Sequence, residues 1–199
     1  MIDTLKLKIQ NLRKLDKRFR LFGSDHHKYK FRSSINNTQI KAFEQKHNIE
    51  LPEDYRAFLL EFGNGGCGPG YGLIQLENGP YDIPHNKEES EIISLQSSFR
   101  FETYWNLEDF PKENYSTWED EYDQIKWADG MLRIAHLGCG IYCNIIISGN
   151  ERGNIWIDDR GSEGGIYPDN YYTKAKNYDF ISWYTYWLDN AIKEITSLK

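Results

Sequence analysis

Gly63, Gly65 and Gly68 in "EFGNGGCGPGYG" stand at the G-x-G-x-x-G spacing of a dinucleotide-binding turn. The chemistry would be a cradle of backbone N–H groups around a pyrophosphate, and it requires the glycines to open a helix. The flanks say otherwise. In "LPEDYRAFLLEFG", Pro52 suits a first helical position and Glu53 and Asp54 sit at the positive end of the dipole. Tyr55, Phe58, Leu59 and Phe62 share one stripe, and Gly63 fits a left-handed C-terminal cap. The glycines therefore follow a helix, where the free groups are carbonyls and the dipole is negative. No Lys-Ser/Thr pair closes the loop as a P-loop would require. The spacing reads as a tight turn leading into "YGLIQL", with Tyr71 to Leu76 as the first strand.

His136, Cys139 and Cys143 in "HLGCGIYC", with Cys67 as a distant fourth, are soft metal-ligand types. Their spacing is not that of a zinc site, so buried structural cysteines are the expectation. Asp158, Asp159 and Glu163 lack the loop spacing of an EF-hand and read as a polar turn. His26 and His27 read as an exposed pair in a polar connection. No Ser/His/Asp or Cys/His set has a recognisable local context. The expectation is a non-enzyme with no cofactor and no metal.

The elements that position these residues follow from periodicity. Leu5, Ile9, Leu12, Leu15 and Phe19 mark an amphipathic basic helix at the N-terminus. "SINNTQIKAFEQKHNI" carries cap-forming Asn and Thr, an apolar face of Ile40 and Phe43, and a stop at Asn48, so it pairs with the following helix. "YSTWEDEYDQIKW" has a Ser116 to Glu119 capping-box spacing and a stripe of Trp118, Tyr122 and Ile125, which predicts a helix over about residues 117 to 127. "GMLRIAHLG", "IYCNIIIS" and "GNIWIDD" form an antiparallel meander. The last helix carries Phe180, Trp183, Tyr184, Trp187, Leu188, Ala191, Ile192 and Ile195 on a heavy stripe that must pack on the sheet, with Trp183 and Trp187 as core residues.

The result is a single α+β domain: an antiparallel, mixed-order sheet packed by an N-terminal helix pair and a C-terminal Trp-rich helix. Residues 1–34 form a basic helix and connection, and residues 35–195 the main domain, with an acidic insert at about 77–129.

At 199 residues, with 39% hydrophobic and 15% aromatic content, the chain suits one globular domain. The start lacks a secretory signal, no apolar run reaches spanning length, and three cysteines make a disulfide framework improbable, so a cytoplasmic location is expected. The formal net charge of -6 is uneven. Residues 1–32 hold about ten Lys/Arg against three Asp/Glu, and residues 77–129 about fourteen Asp/Glu against four Lys/Arg. Two solvated faces account for this pattern, and so does an acidic surface that steers a basic partner.

The succession "IKAFEQKHNIELPEDYRAFLLEFGNGG", "YGL", "HLGCGIYCNIIISGNERGNIWID" and "FISWYTYWL" resembles the SUKH superfamily across most of residues 35 to 190. Leu51, Pro52, Tyr55, Phe58, Leu59, Gly63, Asn64 and Gly65 carry its N-terminal signature; Gly138, Gly140, Gly149, Gly153 and Trp156 carry its strand region. That superfamily includes bacterial toxin-immunity proteins and fungal cell-wall-synthesis regulators. The resemblance implies an α+β fold that acts by binding. Its function would be to neutralise a cognate protein toxin, often a nuclease, with no direct binding to nucleic acid or membrane. The alternative is a regulatory protein-interaction module of the same fold. In the first case the expected contact cluster is Glu119, Asp120, Glu121 and Asp123, with Trp118 as a neighbouring anchor.

Overall fold

The computed structural model describes residues 2–109, 121–169 and 178–198. Among these are five α-helices and one four-stranded antiparallel sheet. The helices are α1 (Ile2–Leu15), α2 (Ser24–His27), α3 (Asn37–His47), α4 (Glu53–Phe62) and α5 (Phe180–Ser197). The strands are β1 (Met131–Gly138), β2 (Ile141–Ile146), β3 (Ile155–Asp159) and β4 (Gly165–Pro168), neighbours following chain order.

Local chemistry sets the helix ends. Asn36 caps α3 in a reciprocal box, its side chain accepting from Gln39 N while the Gln39 side chain accepts from Asn36 N, both at 3.0 Å. Asn48 closes α3 in the left-handed conformation that Asn tolerates. Pro52 stands one position before α4, as its N-cap. Gly63 ends α4 at φ 132°, ψ 177°, an extended positive-φ conformation rather than the left-handed cap expected. Asp179 caps α5 through Ser182 N at 2.7 Å, and Asp54 of α4 accepts from Ile181 N at 3.1 Å, so an α4 side chain helps to start α5.

The glycine turn after α4 uses its own N–H groups. Gly66 N donates to Leu73 O and Cys67 N to Lys30 O, both at 2.9 Å, and Gly65 N donates to Gly63 O. These donors are not gathered around an anion. "YGLIQL" is not a regular strand. Only Leu73 forms bridges, to Gly66 and Ala135, while Tyr71 N and Ile74 N donate to β1 carbonyls. The turn glycines keep this segment too curved for a ladder, and it covers the β1 edge. Trp105 bridges Ile166 and covers the β4 edge in the same way.

One sheet face, with Cys143, Ile145, Ile155 and Ile157, is buried in the core shared with Phe58, Phe180, Trp183 and Tyr184. Helix α1 packs along α5, aided by an ion pair of Lys8 with Asp189. Trp187 and Ile192 are only partly buried, because α5 turns them toward its edge, so Trp187 is not the full core residue its spacing predicts.

The acidic segment covers the opposite face. Phe99 meets Trp156 edge-on at 4.8 Å, and Trp105 stacks with Trp127 at 4.6 Å and Tyr122 at 5.4 Å. The helix expected over 117–127 does not run through. Gln124 is extended at ψ 138°, and a 3-10 helix, Ile125–Ala128, follows. That break lets Trp127 Nε1 donate to Glu121 O.

Candidate functional site

Strand alternation places Arg133, Tyr142 and Asp158 on the face covered by the acidic segment, through the pairs Arg133 with Asn144 and Tyr142 with both His136 and Asp158. Charged side chains there must find partners. Arg133, Asp158 and Arg160 are 4%, 3% and 8% exposed. After β3 a 3-10 turn, Arg160–Ser162, folds Arg160 back over Asp158. Arg160 Nε donates to Asp158 Oδ1 at 2.8 Å and Nη2 to Oδ2 at 2.9 Å. Its Nη1 donates to the carbonyls of Tyr122 and Gln124, both at 3.0 Å, which ties the acidic segment to the sheet. The "polar turn" expected at Asp158 is a buried ion pair; Asp159 and Glu163 alone belong to the turn.

Burial opposes the charge of Asp158, but the charge and N–H donors of Arg160, with Arg133 behind them, hold its carboxyl below the ordinary range. Burial likewise opposes the Arg160 cation, and Asp158 more than offsets it.

Arg133 lies with its guanidinium 4.0 Å from the Tyr142 ring centroid. Its Nη2 donates to Asp82 of the acidic segment and stands 3.4 Å from Asp158 Oδ2. Its Nε and Nη1 have no hydrogen-bond partner among the described residues. His136 stacks on Tyr142, with centroids 4.8 Å apart, and faces His85. Burial, followed by the nearby His85 and Arg133, lowers the His136 pKa and favours the neutral ring.

These groups line a groove made of two adjoining cavities. The larger, about 450 Å³, is bounded by Asp82, Asp123, Arg133, Tyr142, Asp158 and Arg160. The smaller, about 220 Å³, shares Tyr142 and His85 with it and adds His136, Tyr71 and Arg32. The volume suits a small molecule or a side chain with its adjoining backbone.

Of the expected contact cluster, Asp123 is exposed and lines the groove, while Glu121 pairs with Lys126. Trp118, Glu119 and Asp120 lie outside the described residues. His136, Cys139 and Cys143 are not brought together as ligands, and no group of three or more His, Cys, Asp or Glu suited to a metal occurs among the described residues. Cys139 is exposed in the β1–β2 turn at φ 50°, contrary to the expectation of burial. Cys67 and Cys143 are buried, and burial pushes the Cys67 thiol up to about 12. His27 is buried rather than paired with His26 at the surface, because α2 turns its Nδ1 toward Tyr29 N, from which it accepts at 2.9 Å.

Of the groove residues, sequence reasoning singles out Asp123, His136 and Asp158, the last two for other roles, and misses Asp82, Arg133 and Arg160. Their available signal was a lone Arg133 inside the apolar run "MLRIA" and the alternation Asp158-x-Arg160, charged types on strands otherwise built for burial.

No helix among the described residues is long and apolar enough to cross a membrane. No curated protein and no solved structure matches the chain in the corresponding comparisons. A sequence model of the SMI1 / KNR4 family (SUKH-1) matches residues 34–184. The matched range contains α3, α4 and all four strands and reaches into α5, and it is more than half of the chain, so the chain belongs to the SMI1 / KNR4 family (SUKH-1).

Proposed function

We propose that the protein is a binding module that neutralises a cognate protein toxin, in the cytoplasm of the cell that makes it. Family membership supports a partner-binding role. The observation that carries the reading is the division of labour within the acidic segment. Its rings, Trp105, Tyr122 and Trp127, are packed toward the sheet, while Glu88, Glu89, Glu91, Glu108, Asp109 and Asp123 stay exposed. A layer held down by its aromatics and charged outward steers a cationic partner. A nuclease toxin has such a surface, since it must present cations to phosphates, and carboxylates can occupy it in their place.

Glu121 and Asp123, with Trp118, Glu119 and Asp120, are the proposed contact cluster. At the groove floor Asp158 has both oxygens engaged by Arg160, so this carboxylate is held in the ion pair rather than free to act as a base. The test is co-expression with the toxin-like C-terminal domain encoded in the neighbouring reading frame. A stable complex and restored growth are expected. Absence of both, with a housekeeping neighbour, would instead favour the regulatory role.

A further inference from the structure

We infer that the groove between the acidic segment and the sheet receives a basic peptide segment of a partner protein, with a Lys or Arg side chain at the Asp82–Asp123 rim and a main-chain carbonyl turned toward Arg133. The inference rests on the protein-binding reading and specifies the chemistry of the bound segment.

Three observations converge. The larger cavity holds two cations, Arg133 and Arg160, against three carboxylates, Asp82, Asp123 and Asp158, so its formal balance is negative. The charges are also layered: Arg133, Asp158 and Arg160 are buried at the floor, while Asp82 is partly exposed and Asp123 exposed at the rim. An incoming group meets carboxylates first, which favours a cation and disfavours phosphate or a carboxylate.

The floor makes a second demand. Arg133 is 4% exposed and lines the cavity, yet only its Nη2 is engaged by carboxylates; Nε and Nη1 lack an acceptor among the described residues. A buried donor without an acceptor is costly, so an acceptor supplied there gains more than one supplied at the surface. In a cavity already negative, that acceptor is best neutral, and a peptide carbonyl is the neutral acceptor every protein segment carries. The Tyr142 ring is taken up by the Arg133 guanidinium and the stacked His136, and it fixes Arg133 in place at the floor. Arg160 is not the receiving group, since its Nε, Nη1 and Nη2 already donate within the chain.

The experiment titrates the ¹⁵N-labelled full chain with acetyl-Gly-Arg-Gly-amide and, separately, acetyl-Gly-Glu-Gly-amide, up to millimolar concentration. The arginine peptide is expected to move the Arg133 Nε–H resonance, the Tyr142 amide and the amide of Ile83, which also lines the larger cavity; the glutamate peptide is not. Asp123→Lys, a change at an exposed side chain that leaves the Asp82–Arg133 pair in place, is expected to weaken the arginine peptide by about tenfold. Asp82→Asn/Asp123→Asn tests the rim without adding a cation and is expected to weaken it likewise. Arg133 Nε–H unmoved by the arginine peptide, equal shifts from both peptides, or unchanged binding in both variants would overturn the inference. Protection against the toxin is scored separately. A chain that takes the peptide without protecting defeats the toxin reading alone, and one that protects without taking it defeats the groove alone.

Discussion

Asp158 and Arg160, two residues apart, form a two-bond ion pair at 2.8 and 2.9 Å that is almost fully removed from solvent. The pair joins the sheet to the segment that covers it, because the same guanidinium also holds two carbonyls of that segment. Asp158→Asn would leave Arg133 and Arg160 buried with Asp82 as their remaining carboxylate. The expected loss is about 3–5 kcal/mol of unfolding free energy at neutral pH, measured by urea denaturation. Asp123→Asn, at an exposed position, should change it by less than about 0.5 kcal/mol. Because the folded-state pKa of Asp158 is depressed, its contribution is present above the unfolded value and is lost as pH falls through the folded one.

His27 gives a second acid-sensitive contribution, at higher pH. Burial lowers its pKa from 6.5 to about 4, and its Nδ1 accepts from Tyr29 N. Between those values the unfolded chain binds a proton that the folded one does not, so stability is complete above 6.5 and declines as pH falls toward 4. His27→Asn keeps an acceptor near the same place but cannot charge. Thermal unfolding of this variant should decline less between pH 6.5 and pH 4, by as much as about 3 kcal/mol relative to the parent. A decline parallel to that of the parent would exclude His27 as its source.

What the sequence made legible was whatever local chemistry determines. The cap-forming Asn at the start of α3, the stop at Asn48 and the runs that became β1, β2 and β3 depend on neighbours within a few residues. β4 is only Gly165–Pro168, too short for a periodic signal, and exists because β3 and Trp105 flank it. The groove is less legible still. Arg133 meets Asp82 across 51 residues and Arg160 meets Tyr122 across 38. Asp123 was recognisable as a charge, but its place in one cavity with Arg133 required the fold.

Positive-φ glycines separate conformational cost from crowding. Gly66 (φ 108°) and Gly153 (φ 89°) both adopt conformations unfavourable to side chains. A Cβ on Gly66 would meet Lys30 O at 2.4 Å and the Phe31 Cα at 2.9 Å, backbone atoms that cannot rotate away. On Gly153 it would meet only Pro52 Cβ, at 3.9 Å. Gly153→Ala should therefore cost about 1–2 kcal/mol, and Gly66→Ala distinctly more, enough to lower the melting temperature by about 10 °C or to prevent folding. Equal melting temperatures would show that the Lys30–Gly66 approach relaxes freely.

The two tryptophans of α5 should differ in the same assay. Trp183 is 4% exposed and packs on Phe180 and Tyr184, whereas Trp187 is partly exposed beside His27. Trp183→Ala is expected to cost about 3–5 kcal/mol. Trp187→Ala should cost roughly half as much, since less apolar area leaves water there on folding. The ordering of the two denaturation midpoints decides it, and a Trp187→Ala loss as large as that of Trp183→Ala would mean that the edge of α5 is packed as tightly as its centre.

The charge of the acidic segment should matter to encounter more than to folding. Asp123 is exposed, and Glu121 has a single ion pair, with the partly exposed Lys126, so neither anchors the core. Reversing Glu119, Asp120, Glu121 and Asp123 to Lys should leave the unfolding midpoint nearly unchanged, because the exposed Asp123 and the partly exposed Glu121 contribute little to stability. Against a cationic toxin the same variant should associate about tenfold or more slowly at low salt, and its association rate should lose most of its dependence on ionic strength. Both follow from one cause: steering acts through long-range attraction that salt screens, so a surface without that attraction has little for salt to remove. Stopped-flow association at several salt concentrations measures both, and a variant that keeps the parent's on-rate and salt slope would place the interface on another face.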